Sequence, residues 1–110
     1  MGIVVKPTDD FVKELKRIAK KHRGILADIA DISLQLKENP RLGTDLGQNF
    51  YKIRMAISGS GKGKSGGARI ITYVLLDDQT VLLVELYLKS EYDNTDVNTL
   101  LDRLRDSGLI

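Results

Sequence analysis

The chain has 110 residues, of which 42% are hydrophobic and 29% are charged, and this balance excludes a disordered or fibrous protein. No apolar run approaches the ~20 residues that a membrane span needs, and the first apolar stretch is too short for a signal peptide. There is no cysteine, which excludes disulfides, and the net charge is +2. We therefore expect one cytoplasmic domain over residues 1–110, without membrane association.

The first half of the chain predicts a short strand followed by two helices. Residues 3–6 form the strand, and Thr8 can cap a helix that begins after Pro7. Apolar residues then recur at helical spacing until Gly24, and a second helical stripe ends before Pro40. The short connection between the two helices indicates an antiparallel hairpin.

The second half predicts strands, because the apolar period changes from 3.6 to 2 after Gly47. The predicted strands cover 50–57, 68–76 and 80–89, and a last helix over 95–106 is capped by Thr95 or Asn94. Short connections make the three strands an antiparallel meander. The sequence therefore predicts an α+β fold of order β-αα-βββ-α, with an antiparallel sheet packed on a helical hairpin.

Strand alternation predicts which side chains face away from the helices. The apolar sets suit the helix side: Tyr51, Ile53, Met55 and Ile57; Ala68, Ile70, Thr72 and Val74; and Leu82, Val84, Leu86 and Leu88. The opposite face then collects cations, tyrosines and one carboxylate: Lys52, Arg54, Arg69, Tyr73, Glu85, Tyr87 and Lys89.

The basic residues are concentrated in the middle of the chain. Residues 46–76 carry five Lys or Arg and no carboxylate, and the glycine-rich loop 58–67 within them holds Lys62 and Lys64. Cations with interleaved tyrosines are what single-stranded nucleic acid binds, through phosphates and bases respectively. The alternative interpretation is an ordinary solvated face of an antiparallel sheet, and the residues alone do not decide between this and a nucleic-acid-binding face.

Two phosphate-binding motifs and the common metal sites can be set aside. Residues 61–66 fit the dinucleotide pattern G-x-G-x-x-G and partly resemble a Walker A loop, but no helix follows to receive a phosphate. His22 is the single histidine, so a two-histidine ribonuclease mechanism is excluded and a histidine–cysteine zinc site is not expected. We expect neither a metal nor another cofactor.

Three segments together resemble the RelE/ParE toxins, in particular the HigB-like branch. They are Tyr51-Lys52-Ile53-Arg54, the loop from Gly61 through Arg69 to Ile71, and Leu86-Tyr87-Leu88-Lys89-Ser90-Glu91. The helix-hairpin and meander order agrees over nearly the whole chain. The resemblance implies the toxin of a type II toxin–antitoxin module that cleaves mRNA on the ribosome without metal and so inhibits translation. It also implies a cognate antitoxin and a hetero-oligomeric complex with it.

The resemblance also implies roles for individual residues. Lys62, Lys64, Arg69 and Lys89 match the catalytic basic positions, where the ribose 2′-hydroxyl attacks the adjacent phosphate to give a 2′,3′-cyclic phosphate. The expected RNA contacts are Lys52, Arg54, Tyr73, Tyr87 and Glu91. We expect an acidic antitoxin segment to cover the basic face or to displace the last helix.

Two alternatives remain at this stage. The ParE branch shares the fold but inhibits DNA gyrase without nuclease chemistry, and a decayed toxin would keep only antitoxin and RNA binding. The presence of Arg69 and Lys89 favours the nuclease.

Overall fold

A computed structural model describes residues 2–61, 63, 66–92 and 94–110. Within them the chain forms five strands and three helices, and a 3₁₀ turn over Leu76–Asp78 joins the fourth and fifth strands. In chain order the elements are β1 (Val4–Pro7), α1 (Asp9–Ala19), α2 (Ile25–Glu38), β2 (Thr44–Gly47), β3 (Phe50–Met55), β4 (Ala68–Leu75), β5 (Thr80–Leu88) and α3 (Val97–Asp106). None of the helices in this described part has the length and apolar content that crossing a bilayer requires.

The strands form one mixed sheet in the order β1-β5-β4-β3-β2. The predicted meander of β3, β4 and β5 is antiparallel, which confirms the α+β class, whereas β1 pairs with β5 in parallel. The sequence interpretation missed β2, which pairs with the start of β3. This strand has four residues and contains Asp and Gly, both of which are depleted in strands, so its sequence lacks a strand pattern.

Apolar side chains cover both faces of the sheet, giving three layers. On one face, α1 and α2 pack through residues such as Phe11, Ile18 and Leu36 against β3, β4 and β5. On the other face, α3 packs through Leu100 and Leu104 over a second apolar cluster. We call these the hairpin side and the α3 side of the sheet. The far face is therefore partly covered by α3 and is not a fully solvated surface.

The N-terminal cap of α1 is the predicted residue, whereas the N-terminal cap of α3 is a different one. Thr8 caps α1, with its hydroxyl accepting from the Phe11 N–H at 3.2 Å, as predicted. The cap of α3 is Asp96, not Thr95 or Asn94, and its carboxylate accepts from the backbone of Asn98 and Thr99. An ionised carboxylate at this position also interacts favourably with the positive end of the helix dipole, which stabilises α3.

A β-bulge in β5 overturns part of the predicted alternation. Ile71 pairs with Glu85, but Thr72 pairs with Leu83, so Val84 is an extra residue on β5. In the part of β5 that precedes the bulge, each side chain therefore faces the opposite side of the sheet from the predicted one. Leu82 and Val84 therefore pack on the α3 side, and the prediction that they face the hairpin is wrong. Their places on the hairpin side are taken by Val81 and Leu83, while Leu86 and Leu88 lie there as predicted.

Candidate functional site

Three side chains form a row across the middle of the sheet on the α3 side. Arg54 of β3 pairs in register with Arg69 of β4, and Arg69 pairs with Tyr87 of β5. Side chains directly opposite each other on neighbouring strands have Cβ atoms about 4.5–5.5 Å apart. Lys52 lies two residues before Arg54 on the same face. The structure thus brings together four of the residues that the sequence assigned to one face.

The members of this row differ in their access to solvent. Arg54 is exposed and Lys52 is partly exposed, but Arg69 is only 2% exposed and Tyr87 is fully buried. The Nη1 group of Arg69 donates to its neighbour's carbonyl, that of Ala68, at 3.1 Å. Sequence alternation identified the face correctly but could not show that Arg69 and Tyr87 lie beneath other groups.

The two tyrosines that we expected to stack on bases are covered. Tyr73 is 9% exposed and packs against Phe50, with ring centroids 4.8 Å apart. The ring of Tyr87 lies under that of Tyr92, with centroids 4.2 Å apart and planes within 16° of parallel. The Tyr87 hydroxyl lies 3.3 Å from the Thr95 hydroxyl. In this conformation the exposed aromatic ring of the site is Tyr92, which is 45% exposed and which the sequence analysis did not identify.

Tyr92 is held by a half-buried carboxylate. Its hydroxyl donates to Glu85 Oε1 at 3.2 Å. Burial, together with the nearby Glu85 carboxylate, raises the pKa of Tyr92. Burial also raises the pKa of Glu85, against the opposing effects of the Tyr92 hydrogen bond and of Arg103. The tyrosine therefore remains a donor at neutral pH.

The glycine-rich loop begins and ends at fixed points beside the row. At its start, the Asp28 carboxylate accepts hydrogen bonds from the Ser58 backbone N–H, at 2.8 Å, and from the Ser58 hydroxyl. At its end, Gly67 packs so closely on β3 that an added Cβ would lie 2.1 Å from the Met55 carbonyl oxygen. Lys62 and Lys64, the predicted catalytic residues of the loop, lie outside the described residues.

Lys89 adjoins the end of this loop, because its N–H donates to the Gly67 carbonyl at 3.0 Å. Its side chain is partly exposed. The β4–β5 pairing places Arg69 opposite Tyr87, two residues before Lys89. The basic residue at the end of β5 and the arginine after the loop are thus joined through adjacent strands.

Glu91, one of the expected RNA contacts, is bound to α1 in this structure. Both of its carboxylate oxygens accept from the guanidinium of Arg17, at 2.8 and 2.9 Å. These hydrogen bonds hold the pKa of Glu91 below its usual range. No local pattern predicts this pairing, since Arg17 is 74 positions away and lies on an exposed helix face.

The arrangement can bind an anion through several cationic groups at once. Guanidinium groups form bidentate hydrogen bonds with phosphate oxygens, and lysines add point charges. Among the described residues, no group of His, Asp and Glu side chains has the proximity needed to hold a metal ion.

No model of a known protein family matches the chain. Its structure is similar to that of a mutant of the E. coli toxin RelE in the free state. The two share 16% sequence identity over 78% of this chain and 82% of that one, with a TM-score of 0.57. The chain thus has a RelE-like α+β fold, as the resemblance predicted.

Proposed function

We propose that the chain is the toxin of a toxin–antitoxin module and a metal-independent endoribonuclease that cleaves mRNA on the ribosome. The observation that carries the proposal is the row of Arg54, Arg69 and Tyr87, with Lys89 tied to the end of the glycine-rich loop. A RelE-like fold supports it, since the similar structure is described as a toxin. The finer assignment to the HigB-like branch rests on the loop and the Tyr-x-Lys-Ser-Glu block.

In the proposed reaction, the 2′-oxygen of ribose forms a bond to the adjacent phosphorus while the bond from phosphorus to the 5′-oxygen breaks. Lys62 or Lys64 accepts the proton of the 2′-hydroxyl, and Lys89 donates a proton to the leaving 5′-oxygen. Arg69 binds the phosphate oxygens as their charge grows in the transition state. The products are a 2′,3′-cyclic phosphate and a 5′-hydroxyl.

The assigned RNA contacts differ in whether RNA can reach them without a rearrangement. Arg54 and Lys52 can meet the RNA backbone directly, since both reach solvent. The groups around Arg69 must move when RNA binds, because an exposure of 2% leaves no room for a phosphate. Stacking of a base on Tyr73 or Tyr87 requires a similar opening, whereas Tyr92 can offer part of its ring without one.

Regulation follows from the charge of the site. A basic surface attracts an acidic protein segment, so we propose a cognate antitoxin that covers the Lys52–Arg54 region or displaces α3. The toxin would then act in the cytoplasm when the antitoxin is removed. A complex in which the partner touches α1 and α2 alone would contradict charge masking.

The direct test incubates the protein with translating ribosomes and maps new mRNA 5′ ends. We expect cleavage within ribosome-bound codons, 5′-hydroxyl ends on the downstream fragments and 2′,3′-cyclic phosphates on the upstream ones. Cleavage that survives EDTA, in an assay whose ribosomes keep their own magnesium, would support independence from metal, and activity restored only by an added transition metal would contradict it. Intact mRNA combined with inhibition of gyrase supercoiling would overturn the proposal in favour of the ParE-like alternative.

A further inference from the structure

The turn that follows β5 is held from two sides of the molecule. On one side, the Arg17 guanidinium binds both carboxylate oxygens of Glu91, at 2.8 and 2.9 Å. The Nε of Arg17 donates to Glu14 at 2.9 Å, which orients the guanidinium towards the turn. We call this Arg17–Glu91 pair the α1 clamp. A bidentate pair of this kind fixes direction as well as distance.

The second anchor of the turn is Tyr92, the residue that follows Glu91. Tyr92 stacks on Tyr87 of β5 and donates its hydroxyl to Glu85. Glu91 and Tyr92 therefore tie consecutive positions of the turn to α1 and to the α3 side of the sheet. Within the turn, the Leu88 N–H also approaches Glu91 Oε1, at 3.4 Å.

The element between these anchors and the sheet is the backbone of Lys89. Its N–H donates to the Gly67 carbonyl at 3.0 Å, and Lys89 lies two residues before Glu91, so Lys89 connects the end of the loop to the anchored turn. Lys89 is the proposed donor of a proton to the leaving oxygen. Proton transfer needs heavy atoms within about 2.6–3.2 Å, and a 1 Å misplacement can cost about 100-fold in rate.

We propose that Arg17 and Glu91 are positioning residues that fix the backbone of Lys89 for the reaction, and this inference rests on the proposed function. Glu91 then acts through Lys89 and does not contact RNA. Its carboxylate is already engaged by Arg17 and would repel a phosphate. The clamp joins partly exposed side chains, 47% and 35% accessible, and such pairs contribute about 0–1 kcal/mol to stability. Its loss should therefore leave the fold intact and change the geometry of the turn.

The test reverses the charges of the clamp in a Glu14→Gln background, which removes the second acidic neighbour of position 17. The variants are Arg17→Glu, Glu91→Arg and the double reversal. Arg17→Met serves as a neutral variant that places no like charges together. Lys16→Glu, on the next exposed position of α1, makes the same charge change without touching the clamp.

The first readout separates binding from chemistry by single-turnover cleavage at increasing ribosome concentration. We expect each single reversal to lower the saturated cleavage rate by about 10-fold or more, with half-saturation changed less than about 2-fold. The double reversal should restore the rate to within about 3-fold, and Lys16→Glu should leave it unchanged. Equal rates in all variants, or no rescue in the double, would overturn the positioning role.

The second readout needs no catalytic activity and therefore distinguishes failure of this inference from failure of the proposed function. Amide hydrogen exchange at Lys89 should accelerate by about 10-fold or more in each single reversal and return towards the parent value in the double. Unchanged exchange would overturn the clamp even if the protein cleaves mRNA. Accelerated and rescued exchange in a protein without cleavage would support the clamp and overturn the nuclease.

Discussion

Arg54 of β3 and Arg69 of β4 are cross-strand neighbours on the α3 side of the sheet, one exposed and the other almost fully buried. Like charges placed directly opposite on adjacent strands destabilise a sheet. The size of the effect is comparable to that of a favourable cross-strand pair, which contributes roughly 0.2–1 kcal/mol. A phosphate bound by both side chains would offset that cost. The difference in burial also separates their proposed roles, since Arg54 can meet the RNA first and Arg69 only after rearrangement.

Arg54→Ala should weaken RNA binding while leaving cleavage of bound RNA nearly intact. Removing one phosphate contact to a single strand should reduce the slope of log affinity against log salt by roughly 0.7. The measurement is a binding titration on ribosomes at several salt concentrations, with exposed Arg105→Ala of α3 as the control. An unchanged salt slope would contradict a phosphate contact at Arg54.

Arg69→Met should slow the chemical step. Methionine keeps much of the side-chain volume at this buried position but cannot bind a phosphate oxygen. Loss of one donor that stabilises growing charge usually costs about 10²–10³-fold in rate. Single-turnover cleavage at saturating ribosomes measures the effect, and urea unfolding shows whether the variant remains folded. Cleavage at the wild-type rate once RNA is bound would end the catalytic assignment of Arg69.

Gly67→Ala should destabilise the protein at the end of the loop. The new Cβ would lie 2.1 Å from the Met55 carbonyl oxygen, so β3 and the loop must separate. Forced shifts of this kind cost about 1–3 kcal/mol in the free energy of unfolding, measured by urea denaturation. Gly2→Ala is the control, because nothing lies within 4 Å of its Cβ position. Equal effects of the two substitutions would show that the close approach is not needed.

The fold was largely predictable because most elements have a clear local pattern. Alternation along β3 places Tyr51, Ile53 and Met55 on the hairpin side, where they are found. The same rule failed in the first half of β5, since the bulge at Val84 shifts its phase and residues 81–84 are all apolar. Such a run lacks the polar residues that would reveal a change of register.

The sequence predicted which face of the sheet holds the candidate site. It did not predict how deeply the side chains are buried or which other residues hold them in place. Arg54, Arg69 and Tyr87 align because β3, β4 and β5 pair as an antiparallel meander and their side chains alternate between its two faces. Arg17 and Tyr92 were missed for a different reason. One lies 74 positions from its partner and the other lies outside any strand, so neither periodicity nor spacing connects them to the site.

Thr72→Val should stabilise the protein. Thr72 is fully buried in β4, and its hydroxyl has no hydrogen-bond partner among the described residues. Valine has nearly the same shape and removes a polar group that is buried at a cost of about 1–3 kcal/mol. Urea unfolding should show a gain of about 1 kcal/mol, whereas the control Thr80→Val loses the hydroxyl bond to the Asp78 carbonyl. A loss of stability in Thr72→Val would indicate that the hydroxyl is satisfied, for example by water.

Glu85→Gln should stabilise the protein at neutral pH and lose that advantage in acid. Burial is the main cause of the raised pKa of Glu85; the acidic neighbours Glu14 and Asp10 on α1 add to it, and the Tyr92 hydrogen bond and Arg103 oppose it. A carboxyl whose pKa is raised by folding destabilises the folded state when it is ionised. This penalty is complete above the folded-state pKa, and it disappears as pH falls below the value in the unfolded chain. Glutamine carries no charge and still accepts from the Tyr92 hydroxyl, so it avoids the penalty at every pH.

The measurement for Glu85→Gln is the thermal midpoint of both proteins from pH 7 down to pH 4. The variant should have the higher midpoint at pH 7, and the two curves should converge as the carboxyl of Glu85 becomes protonated in the parent protein. Asp102→Asn, at an exposed position in the middle of α3, controls for the loss of one negative charge. A midpoint difference that stays constant over this range would mean that the effect comes from packing, because a packing change does not depend on the protonation of the carboxyl at position 85.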